Sequence, residues 1–222
     1  MSRFNEYARE VDSALKAYFE RFESAKAKVV DLEGKVEKAA MDHSLEGQYR
    51  LAKLKVDLSA AQDAFSAVKR ENKEILREIN KTRANLEIEA DKVFCVDPSM
   101  IDDKTMKLLE IGIMTVADFE TLAADAEAAE NFTMLRILGH AADEAAEGYY
   151  KGNRTAVQRL SVVSDLADRY TTGAVLHSFD EIVSVAKLAV GDPDAYSKER
   201  AEPNEYFFDH WDEVAGAAIE DF

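Results

Sequence analysis

The chain has little of anything that interrupts or staples a helix. Among its 222 residues are three prolines, nine glycines and one cysteine. So few helix breakers point to long uninterrupted helices. A single cysteine, Cys95, forms no internal disulfide and suits a reducing compartment. No stretch approaches the roughly 20 apolar residues of a membrane span. The opening MSRFNEYAREVD lacks the apolar core of a signal peptide, so a cytoplasmic location is expected. Bases are scarce as well: 28 against 44 acids, a net charge of -16. A free-standing nucleic-acid binder needs a basic face to neutralise phosphates, and this balance argues against one. A Gly-rich phosphate loop, a paired zinc motif and a GxSxG elbow are all missing. The expectation is therefore a protein without catalytic residues, cofactor or metal. What remains is a chain that is 47% apolar, enough to build cores.

The charge is unevenly spread. Residues 1–93 hold 18 acids and 18 bases. Residues 94–191 hold 16 acids and 8 bases, and residues 192–222 hold 10 acids and 2 bases. The shift near residue 93 marks a candidate domain boundary. The expected organisation is a neutral segment over 1–93, an acidic one over 94–191, and a linker with an acidic tail over 192–222.

The neutral segment reads as coiled coil. Apolar residues recur at spacings of three and four, from Phe4, Ala8, Val11 and Leu15 through Tyr18, Phe22, Ala25, Val29, Leu32, Val36 and Ala39. A second seam runs Leu51, Leu54, Leu58, Ala61, Phe65, Val68, Asn72, Ile75, Ile79, Thr82, Leu86 and Val93. A sustained period of 3.5 is the signature of left-handed helix pairing. The two seams are one residue out of phase. Between them lies MDHSLEG, with Asp42 or Ser44 as N-cap candidates and Gly47 nearby. Either the chain turns here into an antiparallel hairpin, or one long helix absorbs the phase change. Asn72 falls on a seam position, where a buried amide fixes register and partner number at a cost in stability.

Beyond Asp97-Pro98, which disfavours helix continuation, turn signals appear at short intervals. Asp102 or Asp103 is placed to cap a helix that Gly112 ends. Thr115 with Asp118 spells a capping box. Asn131 and Asn153 each precede a helical stripe, and Ser178 with Glu181 spells a further box. The fold class expected is all-α: a long N-terminal coiled coil followed by a compact bundle of five short helices.

The stretch from Lys107 to Asp143 is the most distinctive. Its helix, Gly112-Ile113 turn, helix order is similar to a helix-hairpin-helix DNA module. That module needs a second glycine to meet phosphate, and Asp102, Asp103, Glu110, Asp118 and Glu120 would repel the backbone. The words IGIMTVADFETLA and NFTMLRILG, following a heptad-rich half, resemble small helical proteins encoded in phage and prophage structural gene clusters. The resemblance implies a role in capsid or virion assembly and brings no catalytic motif.

Four histidines, His43, His140, His177 and His210, each have an acid three residues on: Glu46, Asp143, Asp180 and Glu213. Such pairs share a helix face, and two carboxylate-histidine sets make a di-metal bundle site. A second set of core glutamates is missing, so ion pairing with local acids is the reading adopted. Cys95, between Phe94 and Val96, reads as a small buried hydrophobe. The tail offers the best binding candidate. A last helix after Asn204 would align Phe208, Trp211, Ile219 and Phe222 in one apolar stripe among acids. Aromatic amphipathic helices dock in grooves, and acids steer them to basic partners.

The function expected is a non-enzymatic assembly protein. It would form homo-oligomers or space copies through its coiled coil, and contact a basic protein partner through its acidic half, with no nucleic acid or membrane bound. Two rivals are an acidic mimic of nucleic acid that occupies a DNA-binding protein, and a metal-dependent helical enzyme.

Overall fold

A computed structural model of the protein describes residues 4–191. All regular structure among them is helical. In order, α1 is Asn5–Ala40, α2 Leu45–Arg70, α3 Asn72–Val93, α4 Asp103–Ile111, α5 Val116–Ala128, α6 Phe132–Glu147, α7 Arg154–Arg169 and α8 Thr172–Gly191. A 3-10 turn, Pro98–Met100, lies between α3 and α4. The chain forms two compact units. Among the described residues, one takes in 4–84 and 179–191; the other is Asn85–Ser178. The divisions fall inside α3 and α8, whereas the charge shift near residue 93 coincides with the end of α3.

In the first unit the hairpin reading holds. Helix α1, 36 residues and about 54 Å long, packs antiparallel against α2. The turn is built from local groups. The Ser44 backbone N–H donates to the Asp42 carboxylate at 3.1 Å, and Ser44 Oγ accepts from the Gly47 N–H at 3.0 Å. Ser44 is thus the N-cap, and Asp42 closes the turn before it. A Cβ on Gly47 would collide with the Asp42 side chain and carbonyl, so only glycine fits there. The hydrogen bonds from Ser44 hold the Asp42 carboxyl below its usual value of 3.8.

The α1 seam is buried where expected. Ala8, Leu15, Tyr18 and Phe22 are each 0% exposed. Toward the turn the core thins to Val29, Leu32 and Ala61, flanked by half-buried Leu54, Leu58 and Phe65. Helix α2 ends at Glu71, whose N–H bonds the Val68 carbonyl at 3.0 Å in a tightened turn before α3 begins. Arg21 of α1 clamps the Glu71 carboxylate at 3.0 and 3.2 Å. Lys69 sits 4.6 Å from the Phe65 ring centre. Farther along, Thr82 donates to Glu10 at 3.3 Å, and Arg83 grips Asp180 of α8 with a forked pair of hydrogen bonds at 2.5 and 2.8 Å.

The second unit is a compact core of α5, α6 and α7, with Met114, Phe119, Leu135, Leu138, Leu160 and Val163 at its centre. Short helices leave a large share of backbone groups without intrahelical partners, and side chains meet them. Asp102 accepts from the Lys104 and Thr105 N–H groups, and Thr115 and Asp118 form a reciprocal capping box. Asn131 accepts from the Met134 N–H and Asn153 from the Ala156 N–H. Gly112, at φ 68°, ends α4 in the left-handed region.

Two sequence expectations are corrected here. Ser178 is not an N-cap: α8 starts six residues earlier, where Thr171 Oγ1 accepts from the Ala174 N–H at 3.1 Å. Ser178 instead bonds back to the Ala174 carbonyl from mid-helix. Cys95 is exposed, with its thiol on the Lys92 carbonyl at 3.3 Å. Phe94 takes the buried position and packs edge-on against Phe132, so Cys95 turns outward.

Candidate functional site

The second unit carries a cleft of about 630 Å³ between the α4–α5 turn and the C-terminal end of α6. Its walls follow from the local sequence. Because Gly112 reverses the chain, Ile113 and Met114 lead directly into the Thr115 cap. Met114 and Phe119 point into the core at 8% and 4% exposure, while Ile113 stays 62% exposed at the lip. On the other side α6 ends at Gly148, and the following turn is held by the Tyr150 N–H on the Ala145 carbonyl at 2.9 Å. Tyr150 then reaches across, its hydroxyl 3.4 Å from the Met114 carbonyl. Tyr149 packs edge-on against Tyr150, ring centres 4.8 Å apart, yet is itself 88% exposed.

The floor is apolar and aromatic, and the charged group in the lining is Glu144. His140 Nε2 lies 3.5 Å from Glu144, both well exposed to water. The Thr115 hydroxyl is engaged by the Asp118 carboxylate at 2.7 Å, which holds that carboxyl below 3.8. Chemically the cleft is suited to burying an apolar side chain beside two tyrosines, with a negative lip. Tyrosine is well matched to such a place, having a broad apolar ring and a polar tip. Leu108 and Ile111, on the same helix as the lining residue Leu109, are also exposed apolar side chains at 39% and 66%. An exposed apolar patch beside a groove is a recurrent mark of an interaction surface.

The residues singled out from sequence fare differently. Asn72 is the first residue of α3 and half-buried at the helix break. Phe208, Trp211, Ile219 and Phe222 lie outside the described residues, as does His210. The remaining histidines do not meet the acids three residues on. Glu46 accepts from Arg50, Asp143 from Ser164 and Asp180 from Arg83. His140 turns to Glu144, one turn along, in place of Asp143. Among the described residues no three of His, Cys, Asp and Glu come together as a metal would require. No described helix is long and apolar enough to cross a membrane. Asn131 and Asn153, which also begin glycosylation-like triplets, are both helix caps.

Comparisons of the chain with protein-family models, with curated proteins and with solved structures each returned no match.

Proposed function

We propose that this is a non-enzymatic assembly protein whose hairpin pairs or spaces copies while its acidic half docks a protein with a basic surface. The observation that carries the reading is the apolar, tyrosine-lined cleft on the acidic unit, with Ile113 and Tyr149 exposed at its mouth. Apolar contacts there would supply affinity, and the surrounding acids would steer a basic partner and reject an acidic one. The neutral hairpin supports the division of labour, since its charges pair along and between helices, as in Lys35 with Asp31 at 2.6 Å. The resemblance to phage structural proteins makes capsid or virion assembly the natural setting.

A direct test titrates the full chain with a short amphipathic helical peptide of leucines and lysines, followed by NMR. Amide shifts are expected to gather at residues 109–119 and 141–150, with an affinity that falls as salt rises. Ile113→Glu should abolish that localised set while helicity is kept. Shifts scattered over the acidic surface, unchanged by Ile113→Glu, would sink the reading.

A further inference from the structure

Helix α2 has two apolar faces. Leu51, Leu54, Leu58, Ala61 and Phe65 form the seam turned toward α1, where Leu54, Leu58 and Phe65 close over Val29 and Leu32. Leu45, Tyr49, Ala52 and Val56 form a second stripe at spacings of four, three and four. At 100° per residue it lies about 170° around the helix from the first. This second stripe faces solvent: Leu45 is 87% exposed, Tyr49 76% and Val56 69%. A helix that is apolar on both sides normally has neighbours on both sides. Helix α7, by comparison, buries Ala156, Leu160, Val163 and Ala167 on one face and leaves a lone exposed valine, Val162, off it, not a stripe.

We infer that the outer stripe of α2 is a self-docking surface, taking the same stripe of a second copy of this chain in an antiparallel, two-fold pair. Charge selects that occupant. In heptad terms Leu45 and Ala52 take d, Tyr49 and Val56 take a, and Glu46 and Lys53 both take the flanking e position. Antiparallel pairing sets e beside e of the mate. Glu46 of each copy therefore comes beside Lys53 of the other, twice by symmetry. Glu46 is open for this at 86% side-chain exposure, with Arg50 at 3.3 Å as its neighbour on the same helix. A parallel pair would set Gln48 beside Lys53 and gain no ion pair. The location also fits the overall charge. Two chains of -16 each repel, and the neutral hairpin is where they meet at least electrostatic cost.

The inference rests on the oligomer-forming part of the function proposed above, and on nothing in the cleft. Light scattering of the full chain up to about 100 μM, a range that captures weak dimers, is expected to show a concentration-dependent dimer. Tyr49→Glu with Val56→Lys should leave a monomer of unchanged helicity by circular dichroism. Glu46→Lys or Lys53→Glu alone should weaken the dimer about tenfold, by loss of two pairs and gain of two repulsions. Glu46→Lys combined with Lys53→Glu should restore it, an outcome that a merely damaged helix cannot give. A monomeric wild-type chain would overturn the inference. So would a dimer indifferent to the stripe or not rescued by the swap, or a monomer whose Tyr49 is shielded from an aqueous quencher by another segment of the chain. Each of those outcomes leaves peptide binding at the cleft, read through Ile113, standing or falling by itself.

Discussion

The hairpin and the bundle solve the same problem with different means. Helix α1 spans 36 residues and has no side-chain cap at its N-terminus. Helix α4 spans nine and is capped by Asp102 at one end and Gly112 at the other. A long helix has few orphan backbone groups per residue and draws its stability from a continuous seam. A nine-residue helix is mostly ends, so its caps matter more than its stripe. The cores differ in the same sense. The bundle buries residues from three helices around Leu160 and Leu138, at 0% and 1% exposure, whereas the turn end of the hairpin has a two-helix seam with Leu54 and Leu58 half-open. The lesson is that the bundle is held together in three dimensions by itself, and the hairpin tip has, among the described residues, only its two helices.

That contrast is broken most directly by truncating one leucine on each side. Leu160→Ala leaves a cavity in a closed core and should cost about 3 kcal/mol, within the usual span for buried leucines. Leu58→Ala removes atoms already half in water and should cost roughly 1 kcal/mol. Denaturant unfolding followed by hydrogen exchange in each segment reads both. Equal costs would mean that the tip is as enclosed as the bundle.

Two glycines sharpen the point with opposite signs. A Cβ at Gly139 of α6 would stand 2.5 Å from Cβ of Ala167 on α7. The two helices approach closely there, and Gly139→Ala should destabilise by about 1–2 kcal/mol through overpacking, net of the gain in helix propensity. At Gly34 of α1 nothing lies within 4 Å of an added Cβ. Gly34→Ala should therefore stabilise by roughly 0.5–1 kcal/mol. Melting curves of the two variants should shift in opposite directions.

Much of this was legible in the sequence where the physics is local. Caps at Asp102, Thr115, Asn131 and Asn153 are each a side chain three residues or fewer from the N–H it meets. The heptad seam of α1 is buried at Phe4, Ala8, Val11, Leu15, Tyr18, Phe22, Val29, Leu32 and Ala39, and half-buried at Ala25 and Val36. The turn was legible only as a break at MDHSLEG, whose small residues suit a turn or a continuous helix alike; the choice came from Asp42, Ser44 and Gly47 closing on one another. Local spelling failed at Ser178 because Thr171 already caps the helix, and Val175 and Phe179 carry its apolar stripe past the serine. The cleft was not legible, because Leu109, Met114 and Tyr150 meet only once α4, α5 and α6 have packed. Even so, one of its walls is the stretch IGIMTVADFETLA that stood out as unusual. The outer stripe of α2 is legible from spacing alone, since Leu45, Tyr49, Ala52 and Val56 repeat at four, three and four.

The smallest expected effect concerns pH, and it belongs to the bundle. The Tyr170 hydroxyl donates to the Glu127 carboxylate at 2.6 Å. That hydrogen bond, partial burial and the adjoining negative charge push its pKa from 10 up to about 12. The group is raised in the folded state, so its contribution is complete below pH 10 and is lost as pH climbs from 10 through 12. Ultraviolet titration of the tyrosinates should show one component ionising late in that window. Tyr170→Phe should remove the late component and flatten the dependence of bundle stability on pH there. The ring contacts with Phe132, 5.0 Å between centres, would stay in place, so neutral-pH stability should fall only modestly. Hairpin amides followed in the same samples should show no transition tied to that component, because Tyr170 and Glu127 both belong to the second unit. A hairpin that loosened in step with the late tyrosinate would mean that the two units share one unfolding event, and the contrast between them would lose its thermodynamic meaning.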